Sequence, residues 1–179
     1  MMLFLSVIYL LIVGKVSGNS LPEECFNPPL QRSLCGFYPD CLERAHACGV
    51  KGYALGYGTK YCERFSSNST TDCMSVSGAK WRDSTLVCLQ KALVNILPKA
   101  DSMTCEEIEN FAYMSHATCY TGGGAEIPSE PSVCFLSVSD IKCIYDIVDL
   151  RDLTSIEGLR AEKSAISICA KQVRAAGTL

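Results

Sequence analysis

The chain has 179 residues, 12 of them cysteine, a formal net charge of -3 and a 48% share of hydrophobic side chains. That apolar share is enough for a packed core, which excludes a disordered peptide. A mildly acidic chain with no block of Lys and Arg is a poor nucleic-acid binder, so that partner class is excluded too.

Residues 3–13 form an apolar stretch shorter than the roughly 20 residues a membrane span needs. Small residues follow at Ser17 and Gly18, so 1–18 reads as a signal peptide and 19–179 as one secreted, disulfide-rich helical domain. No later stretch is long enough to span a bilayer. Pro39-Asp40 marks a helix start that carries Cys41 and Cys48 on one face and stops at Gly49. Tyr53, Tyr57 and Tyr61 recur every fourth residue, a helical stripe read as core packing. Residues 66–72 read as a loop holding Asn68-Ser69-Thr70, the only N-x-S/T sequon, which makes Asn68 the candidate glycosylation site.

The clearest amphipathic pattern predicts a helix over 77–97, with Trp81, Thr85, Cys88, Leu89, Ala92, Leu93 and Ile96 inward and Pro98 ending it. A second spans 104–120, opened by a capping box of Thr104 and Glu107, with Cys105, Ile108, Ala112, Ser115 and Cys119 on one face. Gly122-Gly123-Gly124 stops it, and 125–131 is a loop. Ser139-Asp140 caps a shorter helix with Ile141, Ile144, Tyr145 and Val148 inward. A last helix covers 155–175, with Leu159, Ile166, Cys169, Ala170 and Val173 inward. Period-2 alternation is absent at any useful length, so the class is all-α, a disulfide-stapled domain of about five to six helices.

The cysteines are Cys25, Cys35, Cys41, Cys48, Cys62, Cys73, Cys88, Cys105, Cys119, Cys134, Cys143 and Cys169. An even count at scattered spacings behind a secretory leader reads as a disulfide framework formed in an oxidising compartment. Structural zinc sites present close cysteine pairs, and none is present, so no metal is expected.

Catalytic groups are sparse. Gly56-Tyr57-Gly58, with His116-Ala117-Thr118-Cys119-Tyr120 further on, resembles secreted phospholipase A2, whose H-D-x-C-Y helix supplies a general base and a calcium-holding aspartate. Here Ala117 stands at the aspartate position, which leaves the metal without an anchor. His116 is therefore expected to be a surface or partly buried helical histidine, and His46 a surface histidine. Asp146, Asp149 and Asp152, at i, i+3 and i+6, lack EF-hand spacing and read as a solvated helix face. No catalysis and no cofactor are expected.

As a series, the cysteines and their neighbours resemble the stanniocalcins, secreted glycoprotein hormones. The similar segments are Cys35-Gly36 followed by Cys41-Leu42-Glu43, then Cys48 and Cys62, then Gly78-Ala79-Lys80-Trp81 with Cys88-Leu89. Cys105 and Cys119-Tyr120, and finally Cys134 and Cys169, complete the series. The resemblance implies pairing of Cys25 with Cys41, Cys35 with Cys62, Cys48 with Cys105, Cys88 with Cys119, and Cys134 with Cys169. Cys73 and Cys143 are left over and are expected to form a sixth bond particular to this chain, the simpler reading; one of them could instead link two chains. The tail cysteine that joins stanniocalcin chains has no counterpart after Cys169, which leaves a homodimer open. What the resemblance implies is an extracellular ligand that binds a receptor or other target protein, with a role in calcium and phosphate balance. The alternative is a secreted helical toxin or effector that blocks a channel or receptor, and a remote alternative is a calcium-dependent phospholipase A2-like enzyme.

Overall fold

The computed structural model describes residues 21–27 and 35–177; the expected signal peptide lies outside the described residues. Among them every regular element is helical. Two π-helices come early, Phe37–Glu43 and Tyr53–Thr59. The second runs directly into α1 (Lys60–Ser66). Then follow α2 (Asn68–Thr71), α3 (Val76–Val94), α4 (Cys105–Tyr120), α5 (Val138–Ile147), α6 (Leu150–Leu153) and α7 (Ile156–Gly177). The all-α, disulfide-stapled class is what the hydrophobic periodicity and the cysteine count together demand.

The long helices start and stop for local reasons. The Ser75 hydroxyl accepts from the Gly78 amide at the start of α3. Thr104 and Glu107 cap α4 reciprocally, the capping box expected from sequence. Past its end Gly122, Gly123 and Gly124 take φ values of 64°, 103° and 77°, left-handed backbone in which glycine has no Cβ penalty. At α5 the cap is Ser137, two residues before the expected Ser139.

Several expectations need correction. Residues 66–72 are not all loop, because Asn68–Thr71 close a helical turn. The first helix begins at Phe37 and loses its regular form before Cys48. In α5 Tyr145 is exposed, and the buried residues are Asp140, Cys143 and Ile147. The largest correction is the face of α7. Leu159, Ile166 and Val173, expected inward, are 52%, 68% and 54% exposed, and Ala170 is exposed as well. Ala161, Ala165 and Gln172 are buried instead. α7 lies mainly against α4, and small side chains on its inner face allow close approach.

The main core gathers Phe37, Tyr38, Leu42, Tyr53, Leu93, Ile96 and Ile108 from both π-helices, the end of α3 and the turn just after it, and the start of α4. A second cluster joins Tyr61 and Phe65 of α1 to Leu86 of α3 and to Cys143 and Ile147 of α5. Six disulfides lock these layers: Cys25–Cys41, Cys35–Cys62, Cys48–Cys105, Cys73–Cys143, Cys88–Cys119 and Cys134–Cys169. The first, second, third, fifth and sixth are the pairs the stanniocalcin resemblance implies. Cys73–Cys143 is intrachain and ties the approach to α3 to the middle of α5.

Candidate functional site

Two places concentrate side chains that ordinary packing leaves unexplained: the outward face of α7 and an aromatic cluster around His116. On α7 the spacing of seven residues puts Leu159, Ile166 and Val173 in one line, and all three meet solvent. Exposed apolar residues scattered singly need no explanation, but an aligned row on a disulfide-anchored helix is a contact surface in form. Its rigidity comes from Cys134–Cys169 and from Gln172. The Gln172 amide nitrogen donates to the carbonyls of Thr121 (2.8 Å) and Ala125 (2.7 Å), and its oxygen accepts from the Ser132 hydroxyl (2.7 Å). A buried Gln with every group satisfied fixes α7 against the glycine turn. Sequence reasoning missed it because polarity argues for an outward position.

His116 is fully buried, beyond the surface or partly buried position expected. Its Nε2 lies 3.1 Å from the Tyr53 hydroxyl and its Nδ1 lies 3.2 Å from the Tyr120 hydroxyl. Burial lowers its pKa from 6.5 to about 3, so the ring is neutral at physiological pH. A neutral imidazole donates from one nitrogen and accepts at the other, so one phenol accepts and the other donates. Tyr57 and Tyr113 pack their rings against it at 5.6 and 5.0 Å between centroids. Burial also raises the pKa of Tyr53, Tyr57 and Tyr120. The tyrosine stripe is thus real, with Tyr53 stacked on Tyr57 and Tyr57 tilted against Tyr61. Both imidazole nitrogens are occupied by phenols, and Ala117 beside it is buried.

The carboxylate triplet does not act as one solvated face. Asp146 pairs with Lys142 on the surface of α5. Asp149 meets Lys60 at 2.5 Å and Arg64 at 2.7 Å, and Asp152 meets Lys60 at 2.8 Å. Hydrogen bonds from Arg64 and Lys60, helped by their charges, pull the Asp149 pKa down to about 2. The Tyr61 hydroxyl donates to Asp152 and accepts from the Asp149 amide at 3.1 Å. These contacts pin the α5–α6 junction to α1. They join residues about ninety apart in sequence, which periodicity cannot signal.

His46, Cys48 and Cys105 place possible ligand atoms within 4.8 Å of one another. The two sulfurs are bonded to each other, so neither offers a thiolate. Asn68 is exposed at the start of α2, and no helix among the described residues is long and apolar enough to cross a membrane. Set against known proteins, the chain matches no family model, no curated protein and no solved structure.

Proposed function

We propose that the chain is a secreted, disulfide-stapled helical glycoprotein of the stanniocalcin type, acting as an extracellular ligand for a protein receptor. The observation that carries this reading is the disulfide order. Five of the six bonds join the pairs that the resemblance implies, across most of the described chain. Six disulfides fit an oxidising compartment. Asn68 would carry the glycan, from an exposed position. Recognition would use the row of Leu159, Ile166 and Val173, which is presented on a helix braced by a disulfide and a buried glutamine. The ligand would act by binding, without turnover, and its role would lie in calcium and phosphate balance.

The test is saturable binding of the labelled, oxidised protein to calcium-transporting epithelial cells, together with their calcium and phosphate fluxes. Saturable binding and altered flux, both lost in a doubly substituted Ile166→Glu, Val173→Glu protein that keeps its disulfides, support the reading. Equal binding by that variant removes α7 from the contact face. A protein that leaves flux unchanged and instead blocks a channel current supports the effector reading.

A further inference from the structure

Between α1, α3, α4, α5 and α7 lies a deep pocket of about 290 Å³, partly open to solvent where Tyr145 and Ile166 border it. Its wall is mostly apolar, with Phe65, Leu86, Leu89, Ile144, Ala161 and Ala165 among the lining residues. Protein interiors pack to crystal density, and voids much larger than a water molecule are few. One polar group in the wall stands apart. The Thr85 hydroxyl, on a residue only 4% exposed, has no hydrogen-bond partner. A helical threonine usually donates to the carbonyl four residues earlier, here that of Trp81. That carbonyl receives the Ser84 hydroxyl at 3.0 Å instead. Buried hydroxyls are almost always satisfied, so the unfilled apolar pocket and the orphaned hydroxyl are two separate observations at one place.

We propose that this cavity is a binding site for a small, neutral, largely apolar molecule that carries one hydroxyl or carbonyl at its end, held by Thr85. The size follows from the volume. A dry cavity of about 150 Å³ takes benzene, so this one takes roughly a dozen non-hydrogen atoms. A neutral ligand follows from the charges in the wall. Asp152 is neutralised by Lys60, Arg82 by Asp83, and Glu162 accepts from the Tyr145 hydroxyl. No lining cation is left to attract a carboxylate in preference to an alcohol. A water molecule is a poor occupant of most of this space, because it needs about three polar partners and the lining surface is mostly apolar. Ile166 of the α7 row also borders this site, but the proposal rests on Thr85 and the volume and does not depend on the protein-binding reading.

The test compares two ligands of equal size, decan-1-ol and undecane, in displacing the fluorescent probe 1-aminonaphthalene, whose size matches theirs, from the oxidised protein. One probe per chain should bind saturably, with decan-1-ol displacing it about 5- to 10-fold more tightly than undecane, the worth of one buried hydrogen bond. Thr85→Val keeps the shape of the wall and should abolish that preference while both ligands still displace the probe. Ala165→Phe, or Ala161→Leu should the first fail to fold, should fill the space and abolish displacement altogether. Absence of saturable probe binding by the folded protein, an alcohol preference that survives Thr85→Val, or binding that survives filling of the cavity would each overturn the proposal.

Discussion

The carboxylate of Asp140, in the first turn of α5, caps the helix that Ser75 begins: its Oδ1 accepts from the Ser75 amide at 2.7 Å and its Oδ2 from the Ser75 hydroxyl at 2.8 Å. The same carboxylate accepts from Ser137, the cap of its own helix. One buried charge thus serves the positive ends of two helices. Burial pushes its pKa up, but the hydrogen bonds from Ser137 and Ser75 outweigh that and leave it lowered. Asp140→Asn should cost about 1–3 kcal/mol in urea unfolding. Because the folded pKa is the lower one, this stability is present above the unfolded carboxylate range and is lost as pH falls through the folded value. An unchanged midpoint would show that the charge is not needed there.

Gly78 tests the same contact from the other side. Gly to Ala inside a helix ordinarily gains about 1 kcal/mol. Here an added Cβ would run into the Asp140 carboxylate. Gly78→Ala should therefore destabilise, by about 1–3 kcal/mol, and thermal unfolding gives the sign directly.

Burial of neutral His116 makes a pH signature. Its folded pKa, about 3, lies below its ordinary 6.5, so the unfolded chain takes up a proton that the folded chain refuses. Stability at position 116 is fully present above pH 6.5 and falls as pH drops toward 3. The slope is at most about 1.4 kcal/mol per pH unit. Denaturant unfolding at pH 7.5, 6.5 and 5.5 should show this slope in the wild type and lose it in His116→Gln. A slope shared by both proteins would contradict a neutral, buried ring.

Tyr61→Phe deletes a hydroxyl that bridges α1 to Asp149 and Asp152. It leaves the Asp149 amide without that acceptor and should cost about 1–2 kcal/mol. Hydrogen exchange should rise at the α5–α6 junction and not at the Thr104 cap of α4. Uniform loosening would argue against a local latch.

On α7 the two faces should respond in opposite ways. Ile166→Ser and Val173→Ser sit in solvent and should each change stability by no more than about 0.5 kcal/mol. Gln172→Leu leaves the Thr121 and Ala125 carbonyls and the Ser132 hydroxyl without their partner and should cost about 2–3 kcal/mol. Unfolding curves of the three variants give the ranking, and a reversed order would contradict the orientation of α7.

The legible parts of the sequence were those that local chemistry decides. The Thr104–Glu107 box, the three glycines after α4 and the long amphipathic span of α3 act within a few residues, so spacing alone exposes them. The face of α7 was not legible. Leu159, Ile166 and Val173 are the most apolar line on that helix, and the rule that apolar residues turn inward misplaces them. The inner line of Ala161, Ala165 and Gln172 is chosen by close approach to α4 and by satisfaction of the glycine turn, both tertiary facts. The partners of Asp140, His116 and Asp152 were not legible for the same reason, since they come from distant segments. The disulfide pairs came from resemblance, because spacing cannot choose among the many connectivities that twelve cysteines allow.

The helical arrangement rests on the six-bond frame, and each bond contributes about 2–4 kcal/mol by restricting the unfolded chain. Proteolysis of the unreduced, secreted protein followed by mass spectrometry reads that frame peptide by peptide. Cys48 joined to Cys105, Cys88 to Cys119, Cys134 to Cys169 and Cys73 to Cys143 is the expected result. Peptides linking any of these cysteines to other partners, or a free thiol among them, would contradict both the helical arrangement and the stanniocalcin-type reading.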